Sequence, residues 1–124
     1  MEKKRILIVE DEELTRNLLV EVLKLCDYKI ESVENGVEAI KRNAASSYDL
    51  IITDYKMPEM NGLELIRRIR MKNPSIPILV VTGDGPEGEL LKSGALACIK
   101  KPFNISELQR IARAILDERQ SSPA

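Results

Sequence analysis

The stretch that decides the fold covers residues 49–62 and reads DLIITDYKMPEMNG. Residues 50–52 are continuously apolar, which is typical of a strand buried on both faces, as in a parallel sheet flanked by helices. Asp54 follows the end of this run, and Pro58 and Asn61-Gly62 then supply residues that end a strand and turn the chain. Because open α/β sheets bind ligands at the carboxyl ends of their strands, the position of Asp54 predicts a functional site.

Two further apolar runs, residues 6–9 and 77–81, predict strands of the same buried kind. Residues 28–33 alternate apolar and polar side chains, which favours a strand nearer the sheet edge, and residues 97–99 predict a brief fifth strand. Segments with helical spacing separate these strands, so the crossovers should be right-handed and the sheet parallel. The predicted fold is α/β: a five-stranded parallel sheet with helices on both faces, the doubly wound, flavodoxin-like (βα)5 arrangement, with the three continuous apolar strands at its centre.

Three helices carry specific expectations. The first, from about residue 13 to residue 26, should pack an apolar stripe on the sheet; the stripe comprises Leu14, Leu18, Leu19, Val22, Leu23 and Leu25. The fourth should be short or poorly formed, because residues 83–93 contain three glycines and Pro86. The last should begin at an N-cap formed by Asn104 or Ser106.

Length and composition bound the function. With 124 residues and 44% apolar content, the chain is predicted to form one domain over residues 1–119, followed by a disordered polar tail over residues 120–124. Nineteen basic and twenty acidic residues, with 3% aromatics, argue against direct nucleic-acid binding. No apolar run is long enough to span a membrane, so we expect a cytoplasmic protein. Cys26 and Cys98 lack metal-site spacing, which predicts two reduced thiols. The chain has no histidine, which excludes a phosphohistidine of its own.

Candidate chemistry follows from the strand ends. If the three apolar strands are neighbours, Glu10, Asp11, Asp54 and Thr82 meet at one edge of the sheet, and Lys101 joins them from the fifth strand. Three carboxylates in a small space need a compensating cation, and Mg²⁺ prefers oxygen ligands together with retained waters. An acidic pocket beside a lysine and a hydroxyl suits phosphoryl transfer, in which Asp54 could act as the nucleophile.

Five motifs in this order resemble the receiver domain of the two-component response regulator family. They read VED at residues 9–11, TDYKMPEMNG at residues 53–62, VTG at residues 81–83, GA at residues 94–95 and KPF at residues 101–103. Each motif alone is weakly specific, but five in sequence order are strongly specific. The resemblance covers residues 5–116, almost the whole chain.

The resemblance implies a role for each site residue. It implies that Asp54 accepts a phosphoryl group from a histidine kinase or a phosphotransfer protein, and that the domain then changes the surface it offers to a downstream protein partner. Asp11, Asp54 and the backbone carbonyl of Lys56 would bind Mg²⁺, with Glu10 assisting through water. Lys101 would pair with the phosphoryl group and Thr82 would hydrogen-bond to it. Such a domain is not an enzyme in the usual sense, since it catalyses only its own phosphorylation and dephosphorylation. The family also implies a cis peptide bond before Pro102.

Other classes of protein match parts of this sequence pattern. A haloacid-type aspartyl phosphatase also uses an aspartate after a strand, but it would need a second acid at position 56, where this chain has Lys56. A receiver-like interaction module that never takes phosphate would be expected to lack Asp54, Asp11 or Lys101. The glycines at positions 83, 85 and 88 match a dinucleotide fingerprint, but they follow the fourth strand and are accompanied by acids that would repel a pyrophosphate. Cys98 stands where the family usually has an aromatic switch residue, so coupling through a rotating ring is not expected here.

Overall fold

The apolar runs form the centre of the sheet. The computed structural model describes residues 3–120, with side chains for residues 3–117. The five strands are β1 (Arg5–Val9), β2 (Lys29–Val33), β3 (Leu50–Thr53), β4 (Ile78–Thr82) and β5 (Ala97–Lys100). All pairings are parallel, in the order β2-β1-β3-β4-β5. The predicted α/β fold is confirmed, with the three continuous apolar strands in the middle and the alternating strand β2 at an edge.

Five helices connect and follow the strands: α1 (Glu13–Lys24), α2 (Gly36–Ala45), α3 (Gly62–Lys72), α4 (Glu87–Lys92) and α5 (Ile105–Gln120). Asparagine side chains cap three of them. Oδ1 of Asn35, Asn61 and Asn104 each accepts a hydrogen bond from the backbone N–H three residues later. Asn104 rather than Ser106 therefore caps α5. The prediction of a brief fourth helix is confirmed, since α4 has six residues and no side-chain cap.

Helices cover both faces of the sheet. Alternate residues of β1 divide the core: Leu7 and Val9 belong to a cluster under α2, α3 and α4. Ile6 and Ile8 belong to a second cluster under α1 and α5. Such two-sided burial explains why the central strands, after Arg5 at the start of β1, have no polar positions until their carboxyl ends.

The predicted apolar stripe of α1 is only half right. Leu19, Val22 and Leu23 are buried against the sheet, but Leu14 and Leu25 are 81% and 80% exposed. Successive helical residues are rotated by about 100°, which places Leu14, Leu18 and Leu25 on the side of α1 turned away from Leu19. Apolar identity was given more weight than angular position in that prediction.

Several sequence predictions concern the chain ends and the cysteines. Helix α5 continues to Gln120, one residue beyond the predicted domain boundary, and the remainder of the predicted tail, residues 121–124, lies outside the described residues. Cys26 and Cys98 are both free thiols. Within residues 3–120, no helix combines the length and apolar character needed to cross a membrane.

Candidate metal centre

Strand register brings the first carboxylates together. Val9 pairs with Thr53 at the ends of β1 and β3, so the residues that follow each strand lie side by side at the carboxyl edge of the sheet. The Asp54 N–H donates to the Val9 carbonyl at 3.1 Å, and the Glu10 N–H donates to the Val33 carbonyl at 3.1 Å. Backbone hydrogen bonding to neighbouring strands therefore fixes the starting point of both carboxylate side chains.

Three carboxylates converge at this edge. One oxygen from each of Glu10, Asp11 and Asp54 lies within 4.8 Å of the others. Glu10 and Asp54 are 2% and 8% exposed, whereas Asp11 faces solvent. An all-oxygen donor set with one open side fits the chemistry of Mg²⁺, which keeps several of its waters. The carboxylates of Glu10, Asp11 and Asp54, which were expected at the strand ends, therefore lie together at one edge of the sheet.

Lys101 joins two of these carboxylates. Its Nζ donates to Asp54 Oδ2 at 2.7 Å and to Glu10 Oε1 at 2.9 Å. The backbone positions it, because the Lys101 N–H donates to the Thr82 carbonyl at 3.0 Å. The peptide bond to Pro102 is cis, as the family resemblance implied. A single ammonium thus compensates two largely buried acids.

The electrostatics of the pair follow from burial and hydrogen bonding. Burial raises the pKa of Glu10 above its ordinary value, and the hydrogen bond from Lys101 offsets this effect only in part. Burial alone would lower the pKa of Lys101, but its hydrogen bonds to Asp54 and Glu10 outweigh burial and raise it. Lys101 therefore stays protonated and Glu10 holds a proton more readily than an exposed glutamate does.

The second oxygens of the two buried acids are held by backbone N–H groups. Asp54 Oδ1 accepts from the Tyr55 N–H at 2.6 Å, and Glu10 Oε2 accepts from the Glu12 N–H at 3.1 Å. Each carboxylate is thereby fixed through both oxygens, which leaves little freedom for rotation. Such fixed orientation is what positioning catalysis of phosphoryl transfer requires.

The loop after Asp54 requires a glycine. The Gly62 N–H donates to the Tyr55 carbonyl at 2.7 Å, and a Cβ on Gly62 would lie 2.5 Å from the Asp54 carbonyl oxygen. Within the loop, Glu59 has a positive φ of 68°, and the Met60 N–H donates back to the Pro58 carbonyl at 2.7 Å. The chain therefore folds back tightly over the backbone of Asp54, which only a residue without a side chain permits at position 62.

Thr82 and Cys98 line a separate small cavity. Thr82 ends β4 and is 6% exposed. Beside it lies a cavity of about 340 Å³ whose lining includes Asp84, Cys98 and Lys100 and no aromatic ring. Burial, followed by the negative charge of Glu87, raises the pKa of the Cys98 thiol. The thiol is consequently neutral and offers no ring that could follow a movement of Thr82.

Lys56 and Asp84 are both exposed, and no ion pair joins their side chains in the described part of the chain. Long solvated side chains gain little from such pairing. The role of the Lys56 carbonyl as a metal ligand stays a prediction.

Arg16 was missed by the sequence reasoning. Its Nη1 donates to the Glu10 carbonyl at 2.9 Å and approaches the Asp11 carbonyl at 3.5 Å. The overlooked signal is its position: a cation within the first turns of α1 opposes the helix dipole, which favours acids there. The unfavourable position of Arg16 in the helix dipole therefore indicates that its side chain has a specific partner.

Comparison with known proteins identifies the family of the chain. Residues 6–113 match the model of the response regulator receiver domain. The chain therefore belongs to the response regulator receiver domain family, a class of signalling modules of two-component systems.

Three similar proteins illustrate the range of the family. The chain is 37% identical to the sensor protein EvgS of Escherichia coli strain K12, over 87% of this chain and 9% of EvgS. It is 37% identical to the CpxR homolog of Haemophilus influenzae, a transcriptional regulatory protein, over 97% of this chain and 53% of that protein. Both relatives are much longer than this chain. The crystal structure of the response regulator TrrA from Thermotoga maritima, in complex with Mg²⁺-BeF, is 38% identical and has a TM-score of 0.85, covering 91% of this chain and 99% of that one.

Proposed function

We propose that Asp54 accepts a phosphoryl group from the phosphohistidine of a histidine kinase or phosphotransfer protein in a Mg²⁺-dependent reaction. The observation that carries the proposal is the contact of Asp54 with Lys101 inside a cluster that contains two further acids. In support, the similar protein TrrA was solved with Mg²⁺-BeF. Neither a kinase partner nor a receiving partner is present in this structure.

In the proposed reaction, a carboxylate oxygen of Asp54 attacks phosphorus, the oxygen–phosphorus bond forms, and the phosphorus–nitrogen bond of the donor breaks. The electron pair of the broken bond passes to the donor's ring nitrogen, which takes up a proton from water, so that the donor leaves as neutral imidazole. Lys101 neutralises negative charge on the transferred group, and Thr82 donates its hydroxyl hydrogen to it. When bound, Mg²⁺ would supply positive charge to the phosphoryl oxygens. Asp11, Asp54 and the Lys56 carbonyl would hold the ion, with Glu10 acting through a water.

Phosphorylation would then alter the surface offered to a downstream protein partner. The domain would work on no substrate other than its own phosphoryl group, and it would not bind nucleic acid directly. The rival interpretation, a module that interacts without phosphorylation, is disfavoured because Asp11, Asp54 and Lys101 are all present. Asp11 lies in one carboxylate cluster with Asp54, and Asp54 contacts Lys101. The cytoplasmic location stays a prediction.

Intact-mass spectrometry after incubation with a small phosphodonor and Mg²⁺ tests this proposal. Wild-type protein should gain the mass of one phosphoryl group, and Asp54→Asn should gain none. Asp49→Asn is the matched control, because Asp49 precedes β3 at the opposite end of the strand and its Oδ2 only accepts from the Arg5 N–H. Absence of incorporation in wild-type protein would favour the interaction module instead.

A further inference from the structure

Arg16 occupies an unusual environment for a basic side chain on a helix. It is partly buried, and its guanidinium donates to backbone carbonyls of Glu10 and Asp11 instead of to a carboxylate. Within the described residues it forms no ion pair, although acids surround the start of α1. Its charged guanidinium therefore hydrogen-bonds to main-chain oxygens of the turn between β1 and α1.

This turn carries two of the three carboxylates of the metal centre. Glu10 is fixed through Lys101 and the Glu12 N–H, but no hydrogen bond from the described residues holds the side chain of the exposed Asp11. The backbone of Asp11 is therefore the main determinant of where its carboxylate points. Arg16 contacts that backbone at the two carbonyls that flank the Asp11 Cα, those of Glu10 and of Asp11 itself.

We infer that Arg16 is a positioning residue for magnesium: it holds the turn so that the Asp11 carboxylate stays within reach of Asp54. This inference rests on the proposed function, since it concerns the same metal centre. It assigns Arg16 an indirect role, through the backbone, and no contact with the ion or the phosphoryl group. Mutation of residues that orient metal ligands without binding the ion themselves typically lowers metal affinity by about 10–100-fold.

A competing electrostatic effect makes the inference testable by its sign. A guanidinium near a cation site repels the cation, so simple removal of the charge would strengthen Mg²⁺ binding. If Arg16 instead holds the turn that carries Asp11, its removal would weaken Mg²⁺ binding. Arg16→Met removes both the charge and the donors. Arg16→Lys keeps the charge and a donor, but replaces the planar guanidinium, whose Nη1 lies near both carbonyls, with a rotatable ammonium.

The experiment is a Mg²⁺ titration followed by amide NMR of wild type, Arg16→Met, Arg16→Lys and Asp11→Asn. The Tyr55 and Glu12 amides are suitable reporters because they donate to the Asp54 and Glu10 carboxylates. We expect about tenfold weaker binding in Arg16→Met and partial recovery in Arg16→Lys. Arg67→Met, on an exposed position of α3, is the control and should titrate like wild type.

Unfolding midpoints measured in EDTA separate positioning from general destabilisation. If Arg16→Met is poorly folded, the comparison passes to Arg16→Lys, which should bind Mg²⁺ more weakly at an unchanged midpoint. Equal or tighter Mg²⁺ binding in the folded Arg16 variants would overturn the inference while leaving the metal site intact. A wild-type protein that does not respond to Mg²⁺, or an Asp11→Asn variant that titrates like wild type, would overturn the metal site itself.

Discussion

Lys101 Nζ lies 2.7 Å from Asp54 Oδ2 and, at the same time, 2.9 Å from Glu10 Oε1. The lysine reaches from the end of edge strand β5 across to the two central strands, and its side chain is 25% exposed while Glu10 is almost fully buried. Without a bound cation, this ammonium is the nearest positive charge that compensates the buried pair. Its contribution to stability should therefore depend on whether Mg²⁺ is present.

We expect Lys101→Met to lower the free energy of unfolding by about 1–3 kcal/mol in EDTA, because Glu10 and Asp54 are left without their hydrogen-bonded cation. Added Mg²⁺ should recover part of this loss, since a bound cation replaces the ammonium. Urea unfolding with and without Mg²⁺ measures both effects, with the exposed Lys100→Met as control. An unchanged unfolding free energy in EDTA would show that the contact contributes nothing to the fold.

Gly94 ends the turn between α4 and β5 with a φ of +119°, and a Cβ there would lie 2.5 Å from Arg70 Nε. Arg70 also donates to the Gly94 carbonyl at 2.7 Å, so the guanidinium cannot move aside without losing a hydrogen bond. Gly94→Ala should destabilise the protein by about 1–3 kcal/mol. The control is Gly88→Ala within α4, where no atom lies within 4 Å of the added methyl group.

The Gly88→Ala control should go in the opposite direction. Alanine is favoured over glycine inside a helix, and the change should stabilise by up to about 1 kcal/mol. Thermal or urea unfolding of wild type, Gly94→Ala and Gly88→Ala measures both changes in stability. Equal effects of the two substitutions would mean that the contact between Gly94 and Arg70 places no constraint on the chain.

Glu31 gives the protein an acid-sensitive contribution to stability. The hydrogen bond from Arg5 holds the pKa of Glu31 below its ordinary value of 4.5, against the opposing effect of burial, and Tyr48 Oη also donates to it at 2.9 Å. Because the folded pKa is the lower one, the stabilisation is fully present above the unfolded value and disappears as the pH falls through the folded value.

Urea unfolding of wild type and Glu31→Gln over a pH series tests this. The difference in unfolding free energy between wild type and Glu31→Gln should be constant at pH values above the ordinary pKa of 4.5 and should shrink at lower pH. Glu34→Gln, at an exposed position with no ion pair among the described residues, is the matched control and should show no such trend. A difference that stays the same down to acid pH would contradict the lowered pKa.

Helix α4 is a candidate for the element that responds to phosphorylation. It has six residues and no side-chain cap, is preceded by two glycines, and is anchored by the fully buried Leu90. Cys98 has no ring to rotate, so we expect residues 83–93 to exchange their amide hydrogens rapidly and to become protected once Asp54 is modified. Hydrogen exchange with and without phosphodonor measures this. Strong protection before phosphorylation, or a response confined to another face, would exclude the mechanism.

Burial made the central sheet predictable. The runs at residues 6–9, 50–52 and 78–81 contain only apolar side chains because both faces of β1, β3 and β4 are covered. The polar residues that follow the runs, among them Glu10, Asp54 and Thr82, mark the carboxyl edge of the sheet. The cluster of Glu10, Asp11, Asp54 and Lys101 follows from that edge together with strand order. In this respect local sequence and tertiary structure agree.

Part of what sequence reasoning missed was contained in the helical periodicity, and the rest depends on strand register and tertiary contacts. Leu14 and Leu25 were assigned to the buried stripe of α1, although their angular position turns them to solvent. The contact of Arg5 with Glu31 requires the register of β1 against β2. The position of Arg16 near the start of α1 indicates that it has a partner, but its partners are backbone carbonyls, which the sequence does not single out. Side chains that bind backbone atoms are the hardest to foresee, because every residue offers the same partner.

The central claim is that the Asp54 side chain itself becomes phosphorylated. Borohydride reduction of the protein after treatment with phosphodonor and Mg²⁺ converts an aspartyl phosphate to homoserine, and peptide mass spectrometry then locates the converted residue. The account predicts homoserine at position 54 in wild-type protein, none without Mg²⁺, and none in Asp54→Asn. Conversion at a different aspartate, or at position 54 to the same extent in EDTA, would contradict it.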